Sequence, residues 1–372
     1  MDVFTVNKVL PTLRFKLRGE EWFYKKIGDI CIVKTGGKDT QDKKESGKYP
    51  FFVRSNTVEK IDSFSFDGEA ILTSGDGVGV GKNFHYINDK FDYHQRVYAL
   101  HTFKEGFSGK FIFQVFKQKF YRRVMRLSAK NSVDSVRMSM ITDMEIAFPS
   151  LPEQKKIASF LIAVDEKLQL LTKKKELLSA YKKGVMQKIF SQDLRFKDEF
   201  GNNYPDWEEK KLGEVASKAS SNISANKIEE NFGDYNLYGA SGILKKVDFY
   251  TEEDSYISIV KDGAGVGRIL LCEPYSSVLG TLDKIKPKES NDLYFIYTLL
   301  QRIYFERYTV GSTIPHIYFK DYSLEKIKVP SLEEQKKIAK FLSSLDSKID
   351  LVSTQIENSK AFKKGLLQQM FV

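Results

Sequence analysis

Cysteine is nearly missing from this 372-residue sequence: two are present, Cys31 and Cys272, and they form no C-x-x-C pair. The four histidines are scattered along the chain. So few ligands exclude a disulfide scaffold and argue against a structural zinc site. A reducing, cytoplasmic setting is expected. No apolar run reaches the length needed to span a bilayer. The opening residues, MDVFTVNKVLPTLRF, lack the basic flank and apolar core of a secretory signal. No membrane partner is therefore expected.

What is present points to a polyanion. Lys and Arg number 59 against 49 Asp and Glu, a net charge of +10, with 29% of residues charged. That mixed but basic balance favours a negatively charged partner. The 41% hydrophobic content supports real cores, and the length suits two or three domains. One stretch, TSGDGVGVGKNF (Thr73 to Phe84), resembles a phosphate loop at first sight. It fails the G-x-x-x-x-G-K-[ST] rule, because Asp76 stands where the first glycine belongs and Asn83 follows Lys82. G-x-G-x-x-G fails too, since the third glycine from Gly77 and Gly79 falls on Lys82. The plainer reading is a strand end and tight turn where side chains are not tolerated on one face.

The same stretch recurs as VKDGAGVGRIL (Val260 to Leu270), with Asp76 matching Asp262, Gly81 matching Gly267 and Lys82 matching Arg268. The recurrence belongs to a larger duplication. IAFPSLPEQKKIASFLIAVDEKL from Ile146 returns without a gap as IKVPSLEEQKKIAKFLSSLDSKI from Ile327. AYKKGVMQKIF (Ala180 to Phe190) returns at the same offset as AFKKGLLQQMF (Ala361 to Phe371), and LRFK at Leu13 returns at Leu194. The upstream segments correspond more loosely: YPFFVRSN (Tyr49 to Asn56) answers to YNLYGASG (Tyr235 to Gly242). The order is A–B–A′–B′, with B and B′ close copies and A and A′ sharing anchors while diverging between them. B and B′ therefore do one job twice, and A and A′ present different surfaces on one scaffold.

B and B′ read as long helices. Ser150 and Ser331 are N-cap candidates, with Glu153 and Glu334 three residues on as capping-box partners. In B′, Ile338, Leu342, Leu345, Ile349, Val352 and Ile356 step 4-3-4-3-4, the seam of a coiled coil. B carries the seam from Ile157 through Leu161, Val164, Leu168 and Leu171, with Lys175 and Lys182 interrupting it further on. Two arrangements satisfy this pattern, helices docked on separate domains or helices packed on each other; matched seams favour the second. A helix of about 38 residues would be about 57 Å long. A and A′ mix short β-rich runs and glycine turns with a late helical stretch. The expected fold is α+β: two mixed α/β domains separated by a pair of long antiparallel coiled-coil helices, an internal pseudo-twofold repeat. The segments are 1–150, 151–191, 192–331 and 332–372.

Basic and aromatic residues interleave late in A, at Tyr121, Arg122, Arg123, Arg126, Lys130, Asn131 and Arg137; A′ carries Tyr304, Arg307, Tyr308, Thr313, His316 and Lys320. These residue types contact phosphates and base edges. Two divergent basic domains on a symmetric frame suit a reader of two half-sites. With IAFPSLPEQKKIASFL, IKVPSLEEQKKIAKFL, VKDGAGVGRIL, YNLYGASGI and GSTIPHI (Gly311 to Ile317), the whole chain resembles the specificity subunit of a Type I restriction–modification enzyme. KNSVDSVRM (Lys130 to Met138) stands where the first domain would carry GSTIPHI, a departure from the family pattern.

The resemblance implies two target-recognition domains, each reading one half of an interrupted duplex DNA sequence, and no chemistry in the chain itself. It implies two modification subunits that carry S-adenosylmethionine and methylate adenine, and ATP-driven restriction subunits recruited through them. DNA contacts are expected from Tyr49, Arg54, Ser55, Asp76, Lys82, Lys130, Asn131 and Arg137 in the first domain. In the second they are expected from Tyr238, Ser241, Lys261, Asp262, Arg268, Thr313 and His316. The alternatives are an autonomous DNA methyltransferase or nuclease, or a standalone DNA-binding scaffold. Against the first, no two of the nine prolines are adjacent, so an N-P-P-Y or D-P-P-F segment is missing, and no H-x-x-E or C-x-x-C metal set is present.

Overall fold

The computed structural model describes residues 11–15, 21–128, 135–228 and 230–371. It divides into two compact units, Met1–Lys173 with Thr354–Val372, and Lys174–Ser353. Each unit thus takes one α/β domain, part of one long helix and part of the other.

In the first unit, β1 (Phe23–Lys26), α1 (Ile27–Ile30) and β2 (Ile32–Thr35) lead into β3 (Tyr49–Phe52), β4 (Val58–Ile61), β5 (Phe66–Ser74), β6 (Phe84–Tyr93) and β7 (Val97–His101). Then come α2 (Gly109–Leu127), α3 (Met138–Thr142), β8 (Glu145–Phe148) and the long α4 (Leu151–Phe190). Six strands form one sheet in the order β2-β7-β5-β6-β3-β4, antiparallel except where β3 runs parallel to β6. β5 is central, and its Ala70, Ile71, Leu72, Thr73 and Ser74 are all buried, as a strand covered on both faces requires. α2 starts where Ser108 accepts the Phe111 N–H at 3.4 Å. Its Phe111, Ile112, Val115, Phe116, Phe120 and Val124 recur at helical spacing and enter the same core.

The second unit repeats the plan: β9 (Glu208–Lys211), α5 (Leu212–Val215), β10 (Ala216–Ser220), β11 (Tyr235–Gly239), β12 (Gly242–Val247), β13 (Tyr256–Val260), β14 (Ile269–Cys272), β15 (Ser276–Val278) and β16 (Leu282–Pro287). α6 (Leu293–Leu300), α7 (Phe319–Tyr322), β17 (Lys326–Val329) and the long α8 (Leu332–Met370) complete it. The counterpart of β6 is broken in two, with Tyr275 at φ 52° between β14 and β15. The sheet accordingly splits into β10-β16-β13-β14 and β12-β11-β15. β15 still runs parallel to β11, as β6 does to β3. The mixed α/β repeat expected from the sequence is what the structure shows; the copies diverge in a broken strand and in the late helix, which has 19 residues in α2 and 8 in α6.

The repeated motifs make the same contacts twice. Arg14 pairs with Glu153 at 2.9 Å, and Arg195 with Glu334 at 2.8 Å. Phe15 meets Phe160 edge-on at 5.7 Å between centroids, and Phe196 meets Phe341 at 5.7 Å. The Leu13 N–H donates to the Gln369 carbonyl at 3.2 Å, and the Leu194 N–H to the Lys188 carbonyl at 3.0 Å. The N-cap expectation holds at Ser331, whose hydroxyl accepts the Glu334 N–H at 3.4 Å, while the reciprocal half of the capping box gives way to another role: the Glu153 and Glu334 carboxylates are taken by arginines of the LRF motif. The neighbouring glutamines are buried polar clamps. Gln154 donates to the Pro149 carbonyl at 2.9 Å and accepts the Ser108 N–H at 3.0 Å; Gln335 does the same to Pro330 and Asp292, at 3.0 and 2.9 Å. Each clamp ties the first turn of a long helix to the N-terminus of α2 or α6.

Within each unit the two long helices pack on each other and run antiparallel. In the first, Ile157, Leu161 and Val164 near the start of α4 share a core with Leu366 and Met370 near the end of α8. In the second, Ile189 near the end of α4 shares one with Ile338, Leu342 and Leu345 near the start of α8. Ile349 and the later α4 positions Leu168, Leu171, Leu178 and Val185 are half-buried.

Candidate nucleic-acid interface

The glycine-rich stretch is the turn between β5 and β6, and in the second unit between β13 and β14. Its glycines are demanded by packing. A Cβ on Gly81, at φ +64°, would stand 2.9 Å from Tyr121 Cδ2 on α2. A Cβ on Gly267, at φ +82°, would stand 2.7 Å from Phe305 Cβ. The left-handed backbone and the close neighbour together leave room for glycine alone. Lys82 then lies over the Tyr121 ring, 5.8 Å from its centroid, with its side chain exposed.

Each turn is joined by a segment far away in sequence. Asp76 forms a β-bridge with Ser135, and Asp262 forms one with His316. The Val136 N–H donates to the Gly75 carbonyl at 2.7 Å, and the Ile317 N–H to the Lys261 carbonyl at 3.0 Å. Ser135 and His316 are also counterparts at the repeat offset, so KNSVDSVRM does stand in the place of GSTIPHI. Lys130 and Asn131 lie outside the described residues.

The two turns share this backbone and differ in chemistry. In the first unit, Asp76 sits between two guanidiniums: Arg54 Nη1 is 3.2 Å from Oδ1 and Arg96 Nη1 is 3.0 Å from Oδ2. The carboxylate is largely covered, while Arg54 and Arg96 remain about half exposed, at 46% and 62%. Beside them a cavity of about 300 Å3 is lined by Thr35, Asp76, Gln95, Arg96, Tyr98 and Ser135. His94 is buried and sets the Arg96 backbone, because its Nδ1 accepts the Arg96 N–H at 2.9 Å. Burial first, and the nearby Arg54 charge second, hold His94 below the ordinary imidazole pKa. In the second unit Asp262 faces an imidazole instead, with His316 Nδ1 at 3.2 Å from Oδ1.

The remaining expected residues fall into two groups. Ser55 makes a local turn with the Thr57 carbonyl at 3.1 Å, and its own carbonyl accepts from His85 Nε2 at 3.1 Å. Arg137 is exposed at the start of α3, Ser241 is exposed in the β11–β12 turn, and Thr313 is exposed in the loop leading to His316. Arg137, Ser241 and Thr313 are open to a ligand, whereas the Ser55 hydroxyl is engaged by Thr57. Other positions are engaged internally. Lys261 Nζ pairs with Asp283 at 3.2 Å, and Arg268 Nη1 donates to the Ala240 carbonyl at 2.6 Å. Tyr49 is half-buried with its ring against Phe64, centroids 5.1 Å apart. Tyr238 is a correction: it is buried, and its hydroxyl accepts the Glu273 N–H at 3.2 Å, so it offers no ring to a ligand. Arg96 is the functional candidate that sequence reasoning missed. Its counterpart on the β16 side is Thr281, so the repeat carries no signal for it.

Comparison with known proteins agrees with this organisation. The model of the Type I restriction modification DNA specificity domain matches twice, over residues 19–180 and 204–359. The MjaVIII Type I restriction enzyme specificity subunit of Methanocaldococcus jannaschii is 31% identical over 201 residues, covering 50% of this chain and 47% of that protein. The chain therefore spans about half the length of that relative. The EcoDI specificity subunit of Escherichia coli is 22% identical over 405 residues, covering 94% of this chain and 87% of its own length. The crystal structure of a Type I restriction–modification S subunit from M. genitalium shares the fold, with a TM-score of 0.77 at 22% identity, covering 98% of this chain and 99% of that one. Two matched domains, taking in most of the sequence, place this chain in the family of Type I restriction modification DNA specificity proteins.

Proposed function

We propose that this chain is the DNA-recognition subunit of a Type I restriction–modification complex, with each α/β domain reading one half of an interrupted duplex sequence. One observation carries the reading. The two turns share one backbone construction, yet one presents Arg54, Asp76 and Arg96 where the other presents Asp262 and His316. Guanidiniums held by a carboxylate suit guanine edges and phosphates, whereas an imidazole–carboxylate pair offers another donor and acceptor pattern. Different half-sites follow from that difference. Exchanging residues 1–150 for the matching part of a relative changes one half-site in the methylation pattern and leaves the other intact. A change in both half-sites would refute independent reading.

The chain itself performs no catalysis in this proposal. Methyl transfer from S-adenosylmethionine and ATP-driven restriction belong to partner subunits in the cytoplasm, and two modification subunits dock on the long helices. Leu170 and Tyr181 on α4 are exposed at 70% and 54%; their repeat counterparts on α8, Leu351 and Phe362, are exposed at 60% and 55%. Exposed apolar side chains repeated at matched helix positions suit two copies of one partner. Leu170→Asp and Leu351→Asp should each lose one modification subunit, as read by the mass of the assembled complex. Retention of both partners by the double variant would refute docking at Leu170 and Leu351.

A further inference from the structure

A second group of cations in the first unit lies away from the glycine turn. Lys119, Arg122, Arg123 and Arg126 on α2, with Lys364 on α8, line a cavity of about 560 Å3, within the size range of ligand sites. Glu145 is the one carboxylate on its wall, beside the apolar Met144, Leu367 and Phe371. Arg122, Arg126 and Lys364 are exposed and form no ion pair among the described residues. Arg123 uses only Nε, donating to the Met140 carbonyl at 2.8 Å. This wall is not the side of α2 that meets the turn. Tyr121 packs on Gly81, and at 100° per residue Arg122 and Arg126 are rotated about 100° and 140° away from it.

The repeat supplies an internal comparison. Phe190 is the counterpart of Phe371 in the matched blocks AYKKGVMQKIF and AFKKGLLQQMF. Counted from the helix N-caps Ser108 and Asp292, Arg302 is the counterpart of Gln118. In the second unit the Arg302 guanidinium lies over the Phe190 ring at 4.5 Å, and the remaining hollow is about 200 Å3. One hollow is closed by the protein's own guanidinium, and the other is left open and lined by five cations. A role common to both repeats would keep them alike, as it keeps the LRF contacts alike. The difference marks a ligand of the first unit alone.

We propose that this cavity is a phosphate-binding site separate from the sequence-reading turn, taking either a free oligophosphate or backbone phosphates of DNA outside the sequence read. Three exposed cations without an ion pair among the described residues, Arg122, Arg126 and Lys364, call for more than one negative charge, which one carboxylate ligand cannot bring. Clustered guanidinium forks match phosphate oxygens in geometry as well as charge. The inference does not depend on which bases the turns read, and its test does not measure sequence preference.

The full chain is used with two probes. Inorganic tripolyphosphate is titrated by calorimetry at low salt, and a duplex of arbitrary sequence is titrated by fluorescence anisotropy over a salt series. Arg122→Ala with Arg126→Ala should weaken at least one probe by about tenfold or more, and two lost backbone contacts should lower the duplex salt slope by about 1.8. Loss with tripolyphosphate identifies a free ligand, and loss with the duplex alone identifies the DNA backbone. Lys328→Ala, at the counterpart hollow, should change neither. A double variant with the wild-type melting temperature and wild-type binding of both probes overturns the proposal, as does an equal loss from Lys328→Ala. If the double variant melts early, Arg122→Gln and Lys364→Ala, each made alone, provide the same comparison.

Discussion

Lys182 of α4 pairs with Asp346 of α8, its Nζ 2.5 Å from Oδ1, and Lys363 of α8 pairs with Asp165 of α4. Each pair is the other displaced by one repeat, so the helices make one isologous contact twice, once in each unit. Lys182 looked like a break in the apolar seam; it is a half-buried cation with a partner on the facing helix. Removing one member leaves the other short of a partner. Asp346→Ala should cost about 1–3 kcal/mol, between the values for exposed and fully buried pairs. Lys182→Met combined with Asp346→Leu should recover most of the loss, and urea unfolding of the three variants checks this.

Acid should disturb the glycine turn of the first unit through His94. Its folded pKa is lowered, so the unfolded chain binds the extra proton more readily. The stability from neutral His94 is fully present above about pH 6.5 and is lost as pH falls through that unfolded value towards the lower folded one. Protonation of Nδ1 also ends its acceptance of the Arg96 N–H. His85 and His101 are likewise lowered by burial in the same unit, whereas His316 is the only histidine of the second. Hydrogen exchange at pH 7.5 and 5.5 should therefore show deprotection concentrated in the first unit. Uniform deprotection would contradict this account.

Arg96→Ala should cost about 1–3 kcal/mol of DNA affinity if Arg96 reads a base, and should relax one position of one half-site. A uniform loss on every sequence would mark a phosphate contact instead. Asp76→Asn should weaken the hold on both Arg54 and Arg96 while preserving the fold, because the amide keeps the shape of the carboxylate. Methylation mapping of cells that carry each variant separates these outcomes.

Two pairs of glycines should respond in opposite directions. Gly81→Ala and Gly267→Ala meet both a positive φ and a side chain under 3 Å away, and should each cost about 1–3 kcal/mol. Gly184 and Gly365 are repeat counterparts inside α4 and α8, with open space where a Cβ would go. Alanine there should stabilise by about 0.5–1 kcal/mol. Thermal melts of the four single variants suffice.

What the sequence made legible was whatever repeats or has a short period. The duplicated block, the two long helices and the α/β character of the flanking domains all follow from offset and spacing. Side-chain partners at long range did not. Glu153 and Glu334 sit where a capping box would place them, and only the fold brings Arg14 and Arg195 to their carboxylates. Tyr238 was expected through the family resemblance of the YNLYGASG segment, yet its strand pairs with neighbours on both sides and its ring enters the core. Arg96 went unnoticed because its proximity to Asp76 is created by strand pairing across 20 residues, a relation with no local pattern.

The bond from the Leu13 N–H to the Gln369 carbonyl is the twin of the bond from the Leu194 N–H to the Lys188 carbonyl, although only the second joins residues that are near in sequence. Contacts at the repeat boundary are therefore indifferent to which junction the polypeptide happens to cross. A circular permutant that joins the end of α8, after Phe371, to the segment before Leu13 by a short linker, and is opened near Gln192, should keep the bond from the Leu13 N–H to the Gln369 carbonyl. The two α/β domains would then be encoded in reverse order in the gene, and on the proposed function the protein should read the same DNA.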